Sequence, residues 1–216
     1  MSHMKRMSSP RTWPVPRKGT KYLTSPYPGK VMELSMPLNL VLRDLLKIAL
    51  TRKEVRIMLH NKDILVDGIV MTSEKFPVGL FDVLSIPKIK KNYRLIVNEL
   101  RRIDLEEIAD ADTKTMVCKV IGKKSLTDKK TQINLFNGRN VLSEMKVKTN
   151  DSVVIDLAKG SVLKHLALKE GAKIFVIGGS HLGQKGTVEK MEETQAIVKS
   201  SGESFPLKLE NIYVLA

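Results

Sequence analysis

The sequence predicts an α+β protein built from several small domains, and three observations carry that reading. A helical period near 3.6 runs through residues 38–59, and beyond residue 91 it gives way to short segments that alternate with period 2. Residues 1–36 mix prolines with cations and show no apolar period. The divisions that follow are a basic, Pro-rich N-terminal arm over 1–36, a small α/β domain over 37–91, a central β-rich, barrel-like domain over 92–170 and a C-terminal β-barrel over 171–216.

The arm comes first. It holds Pro10, Pro14, Pro16, Pro26 and Pro28, and its seven cations face a single acid, Glu33. Lacking an apolar period, it cannot build a core of its own. Trp13, Tyr22 and Tyr27 lie among Arg11, Arg17, Lys18, Lys21 and Lys30. Aromatic faces of this kind either stack on unpaired bases while the cations track a phosphate backbone, or pack on the next domain. Met1-Ser2-His3-Met4 reads as a tag remnant and carries no weight.

Two amphipathic helices follow. Leu38, Val41, Leu42, Leu45, Leu46 and Ala49 form one apolar stripe, with Arg43 and Lys47 away from it. Thr51 and Glu54 have capping-box spacing, which starts a second helix at Arg52. Val55, Met58 and Leu59 supply its buried side, while Arg52 and Arg56 share a wet face next to Lys53. The backbone amides of that helix N-terminus also favour anions. His60, Asn61 and Lys62 form a polar loop, and Ile64–Val66, Asp67-Gly68 and Ile69–Met71 read as a type I′ hairpin. These cations either form a ladder for a polyanion or are merely solvated.

Past residue 91, Tyr93–Val97, Met116–Ile121, Thr131–Phe136 and Ser152–Leu157 are strand candidates separated by turn signals such as Asn137-Gly138 and Asn150-Asp151. Leu105–Ala109 suggests a helical turn, with Asp104, Glu106, Glu107, Asp110 and Asp112 as a solvated acidic face. No loop glycine or nearby histidine makes those acids a metal site. Cys118, the single cysteine, sits in an alternating segment as a small core residue and rules out an internal disulfide framework.

In the last segment, Lys173–Ile177 is a strand leading into Gly178-Gly179-Ser180-His181-Leu182-Gly183-Gln184-Lys185-Gly186. A phosphate loop fails here because Gln184 stands where its lysine belongs and a strand follows. A nucleophile elbow fails because Leu182 replaces the closing glycine. The four histidines (His3, His60, His165 and His181) form no spaced pair. Nothing in the sequence calls for a catalytic centre, a cofactor or a metal.

The chain has 216 residues, with 37 Lys plus Arg against 23 Asp plus Glu, a net charge of +14. That balance points to a polyanionic partner. The excess is concentrated upstream, since residues 171–216 hold five cations and five acids. The neutral C-terminal segment leaves protein contact as open as RNA contact. No apolar run is long enough to span a membrane.

Residues 37–91 resemble the small α/β RNA-binding module named after small-subunit ribosomal protein four, through Thr51–Arg56, Leu65–Gly68 and Gly79–Ile86. The resemblance implies phosphate contacts at Arg52, Lys53, Arg56 and Lys62, with His60 and Asn61 close by; Arg43 and Lys47 of the first helix and Arg11, Trp13, Arg17, Lys18 and Lys21 of the arm are further RNA-binding candidates. Gly183 to Val188 resembles a KOW motif, which implies an SH3-like barrel whose loop contacts are Gly179, His181, Gly183, Lys185 and Gly186. In this order the pieces resemble the archaeal and eukaryotic "four-e" family of small-subunit ribosomal proteins. Lys5 to Trp13, Pro77 to Ile86, Asn150 to Val153, Gly178 to Gly183 and Asn211 to Val214 add to the match. The family implies a non-catalytic, cofactor-free constituent of the small ribosomal subunit in the cytoplasm. Its partners would be small-subunit ribosomal RNA and neighbouring ribosomal proteins, with a monomeric state when isolated and no membrane. The alternatives are a KOW-bearing transcription or elongation regulator and the accessory RNA-binding part of an RNA-modifying enzyme.

Overall fold

The computed structural model describes residues 3–126, 131–192, 194–200 and 202–215. The chain forms two compact units, Met1–Lys114 and Thr115–Ala216, and is mostly β-structure with few helices. The boundaries expected at 91/92 and 170/171 both fall inside these units.

The first unit opens with β1 (His3–Lys5) and β2 (Tyr22–Thr24), an antiparallel pair that closes residues 6–21 into a loop. His3 and Met4, read from sequence as part of a tag remnant, therefore belong to a strand, while Met1 and Ser2 lie outside the described residues. β3 (Ser35–Pro37) leads into α1 (Leu38–Leu40), which continues as a π-helical turn over Val41–Leu45.

The helix expected to reach Ala49 thus stops early. The Leu46 and Ile48 amides reach back to Val41 O (3.0 Å) and Leu42 O (3.1 Å), further than the α-helical ladder, and Lys47 closes the turn at φ 54°. Ala49 still ends buried, so the apolar stripe is satisfied by a turn in place of a third helical repeat.

α2 (Arg52–His60) starts where its capping box predicts. It is followed by β4 (Leu65–Val66) and β5 (Ile69–Val70), joined through Asp67 and Gly68 at φ 52° and 78°, as a type I′ turn requires. β6 (Pro77–Gly79) pairs with β3. β7 (Val83–Ile86), β8 (Lys91–Val97) and β9 (Ile103–Ile108) complete a five-stranded sheet of order β5-β4-β7-β8-β9.

β9 corrects the helical turn expected near Leu105–Ala109. Leu105 lies opposite Leu95 and Ile103 opposite Val97, and this apolar pairing across the ladder overrides local helix propensity. Because β8 and β9 extend the sheet of the two-helix region, residues 92–114 belong to the first unit.

In the second unit, β10 (Thr115–Ser125), β11 (Thr131–Leu135), β12 (Asn140–Ser143), β13 (Ser152–Asp156) and β14 (Val162–Leu166) form a sheet of order β12-β11-β10-β13-β14. Cys118 is buried on β10, as expected of a small core residue. β15 (Lys173–Val176), β16 (Lys185–Met191), β17 (Gln195–Ser200), β18 (Glu203–Lys208) and β19 (Ile212–Val214) form a second sheet of order β18-β17-β16-β15-β19. Ile174, Val176, Val188, Ala196, Val198 and Ile212 build its core.

Polar bonds join the two sheets of this unit. Lys119, 2% exposed, donates to Leu209 O (2.8 Å) and Glu210 O (2.7 Å), and burial lowers its pKa to about 8. The Tyr213 hydroxyl donates to Val117 O, and the Val214 amide donates to Ser152 Oγ at 3.1 Å.

Candidate nucleic-acid interface

Helix α2 organises the largest cluster of predicted contacts. The Thr51 hydroxyl accepts the Glu54 amide (3.3 Å), and Glu54 in turn accepts the Leu50 amide and the Thr51 hydroxyl, both at 2.8 Å. Those two donors hold the Glu54 carboxyl below the usual range. The anion-binding position expected at this helix N-terminus is therefore taken by the chain's own carboxylate.

One turn on, Arg52 and Arg56 converge on Glu74, a residue the sequence analysis did not single out. Arg52 Nε donates to Glu74 Oε2 at 2.8 Å, Arg52 Nη2 donates to Oε1, and Arg56 Nη2 reaches the same Oε1 at 2.9 Å. These two guanidiniums, Arg52 foremost, draw the Glu74 carboxyl down to about 2. The carboxylate raises the Arg52 pKa in return. Lys53, His60, Asn61 and Lys62 are exposed around the pair, with Lys62 held outward at φ 59° in the turn that ends α2. A concavity beside them is lined by Arg56, His60, Lys62, Thr72 and Ser73, with Glu74 as one wall.

Helix α1 contributes less than its sequence suggested. Arg43 makes a paired contact with its neighbour Asp44, Nε to Oδ1 at 2.8 Å and Nη2 to Oδ2 at 2.9 Å, which raises the Arg43 pKa. Lys47 is exposed but lies beyond the helix, so the two do not share a helical face.

The N-terminal segment differs most from expectation. Trp13 is 3% exposed, and its indole N–H donates to Ser35 O (2.8 Å) and Met32 O (3.2 Å). It packs inward and presents no face for a base. Arg17 Nη1 lies among Ser9 O (2.9 Å), Ser9 Oγ (3.0 Å), Arg6 O and Met7 O (both 3.3 Å). Arg6 is itself buried and donates to Thr20 O and Pro16 O, each at 2.7 Å, and to Thr20 Oγ1 at 2.6 Å. Arg11, Arg17, Lys18 and Lys21 are exposed, as are Tyr22 and Tyr27, with Arg17 tied to main-chain carbonyls through Nη1.

Lys30 fastens the segment to the body. It crosses Gly79, where a Cβ would meet Lys30 Cδ at 2.7 Å, and pairs with Asp82, which is 0% exposed and also accepts the Gly79 amide at 2.7 Å. Burial and the neighbouring Asp67 push the Asp82 carboxyl up, and Lys30 opposes them.

Within the C-terminal loop, His181 stacks on Phe205 with ring centroids 3.8 Å apart, leaving one face of the imidazole unstacked by that pair. Lys185 is exposed at the start of β16. Gly186 has a packing role, because a Cβ there would meet Lys199 O at 2.6 Å. Gly179 and Gly183 take positive φ in the turns between β15 and β16.

Among the described residues, no group of three or more His, Cys, Asp or Glu is placed to hold a metal ion. None of their helices is long and apolar enough to cross a membrane.

Comparison with known proteins places the chain in a family. The sequence profile of ribosomal family S4e matches residues 89–162. The chain is 40% identical over 199 residues to small ribosomal subunit protein eS4 of Archaeoglobus fulgidus, covering 92% of this chain and 82% of that protein. It is 36% identical over 195 residues to the eS4 of Methanosphaera stadtmanae, covering 90% and 81% respectively. A crystal structure of the 30S ribosomal protein S4e from Thermoplasma acidophilum superposes with a TM-score of 0.73 at 25% identity, across 85% of this chain and 95% of that one. Likeness on this scale, spread over both units, makes the chain a member of the S4e (eS4) family of small ribosomal subunit proteins.

Proposed function

We propose that the chain is a non-catalytic constituent of the small ribosomal subunit that binds small-subunit ribosomal RNA and supports its folding. One observation carries the RNA-contact part of this reading. Arg52 and Arg56 are held side by side with their outer edges in solvent, and Lys53 and Lys62 are exposed on the same rigid helix and its closing turn. Such a fixed set of cations meets phosphates at a defined spacing, and affinity then follows phosphate neutralisation while selectivity follows RNA shape.

The exposed Arg11, Lys18, Lys21 and Lys47 add to it. The five-stranded C-terminal sheet, with its glycine loop and zero net charge, supports a KOW-type, SH3-like barrel that meets RNA or a neighbouring ribosomal protein. The isolated chain is expected to be monomeric.

Neutralising both arginines (Arg52→Gln with Arg56→Gln) tests the reading more cleanly than charge reversal, which would crowd new carboxylates against Glu74. Binding to a transcript of the organism's own small-subunit ribosomal RNA should weaken about 100-fold, roughly 2.7 kcal/mol, in a variant that still folds but loses about 1–2 kcal/mol of stability, because Glu74 gives up both guanidinium partners. Unchanged affinity, or an unfolded variant, would contradict it.

A further inference from the structure

We propose that Glu74 is a positioning residue for RNA, whose carboxylate holds the Arg52 and Arg56 guanidiniums in the one arrangement that lets both grip phosphates of a folded strand. This rests on the rRNA-binding reading above and adds a specific device to it.

An acid on an anion-binding face looks counterproductive, and its placement explains why it is not. The Glu74 side chain is only 10% exposed, whereas those of Arg52 and Arg56 are 47% and 60% exposed. The carboxylate therefore lies behind the arginines rather than beside the approaching phosphates. Arg52 meets it with Nε and Nη2 and Arg56 with Nη2, so Nη1 of each guanidinium takes no part in these bonds.

Glu74 is itself anchored. Its carbonyl accepts the Asn39 amide at 3.0 Å, and two residues on, Phe76 O accepts the Leu38 amide at 2.9 Å, which ties the segment to the start of α1. The two arginines lie four apart on α2, one turn of the same face. A carboxylate fixed to one element thus fixes two side chains on another.

A free arginine loses much rotamer freedom when it grips a phosphate. Ordering by Glu74 removes most of that loss in advance, but only for a ligand whose phosphates already sit at the matching spacing. An unstructured polyanion gains little from the arrangement and feels mainly net charge. Folded RNA and flexible polyanion should therefore respond in opposite directions when Glu74 is altered.

The experiment compares wild type, Glu74→Gln and Glu74→Asp against two probes, the organism's own small-subunit rRNA transcript and poly-uridylate, with thermal unfolding measured in parallel. Gln keeps the size but loses the charge and the second acceptor oxygen, the one that takes Arg52 Nε, and Asp keeps the charge but loses the reach. Both variants should bind the transcript about tenfold more weakly, the effect of restoring rotamer freedom to two arginines. Poly-uridylate binding should hold steady for Glu74→Asp and tighten about twofold for Glu74→Gln, which carries one charge more.

Transcript binding at wild-type strength in both variants overturns the proposal. So does a parallel loss on both probes that tracks a fall in melting temperature, since that marks a structural role. If the wild type itself ignores the transcript, the rRNA-binding reading fails and the proposal goes with it. If the wild type binds and the Glu74 variants match it, the proposal alone fails.

Discussion

The α2 face and the N-terminal segment are both basic, yet their cations do different work. On α2, Arg52 and Arg56 are anchored from behind and point outward. In the N-terminal segment, buried Arg6 turns inward, exposed Arg17 folds back along the surface to donate to main-chain carbonyls, and Lys30 closes on buried Asp82. The guanidinium suits both uses because its planar fork of donors matches an external phosphate or a cluster of backbone carbonyls equally well. A count of cations therefore overstates the number of phosphate contacts. It also misplaces the order, because bonds from Arg6 and Arg17 to its own backbone hold the segment, whereas the sequence alone suggested an arm with no core of its own.

The inward-facing role is most sharply tested at Lys30. Replacing Lys30 with Met leaves the Asp82 carboxylate buried without its partner and should cost about 3 kcal/mol at neutral pH. The sign with pH follows from Asp82. Its folded pKa of about 6 lies above the ordinary 3.8, so its contribution to stability is fully present below about 4 and is lost as pH rises through 6. Removing the opposing ammonium widens that window, so the variant should lose more stability at pH 7.5 than at pH 5 in denaturant titrations. An equal loss at both would show that Asp82 does not sense Lys30.

A smaller loss, about 2 kcal/mol, is expected for Arg6→Gln, which leaves Thr20 O and Pro16 O short of donors. Hydrogen exchange should show it confined to residues 6–21. Exchange rising equally across α2 would mean the loop and the helix do not separate as described.

Smallest in energy is a pair that sets the two regions side by side. Lys53→Gln should make the salt dependence of RNA binding shallower by about 0.7–0.9 in log–log slope, and Arg17→Gln should leave the slope unchanged. If the two variants behave alike, the distinction between outward and inward cations fails.

What was legible in the sequence was local. The Thr51–Glu54 box and the Asp67-Gly68 turn each fix a few residues through neighbouring bonds, and both form as read. Strands β8, β10, β11, β13 and β15 were visible through alternation, but β9 was hidden by its run of acids and became a strand only through pairing with β8.

The functional detail escaped because it depends on residues far apart in the chain. Glu74 lies 22 residues from Arg52, Trp13 bonds a carbonyl 22 residues on, and Lys30 meets an aspartate 52 residues away. No spacing rule links such pairs. The proline-rich composition suggested an arm without a core, whereas buried Arg6, Lys30 on Asp82, the backbone contacts of Arg17 and one buried indole hold the segment in place.

Phosphate contact by the outward cations is measured most directly through the salt dependence of binding to the small-subunit rRNA transcript. Arg11, Lys18, Lys21, Lys47, Arg52, Lys53, Arg56 and Lys62 remain outward once Arg17 and Arg43 are set aside as internally engaged. Roughly eight contacts predict a slope of log affinity against log salt of about −6 to −7, falling by about 1.5 when Arg52 and Arg56 are neutralised. A wild-type slope shallower than about −2, or one untouched by the double variant, would contradict a phosphate-gripping face on α2.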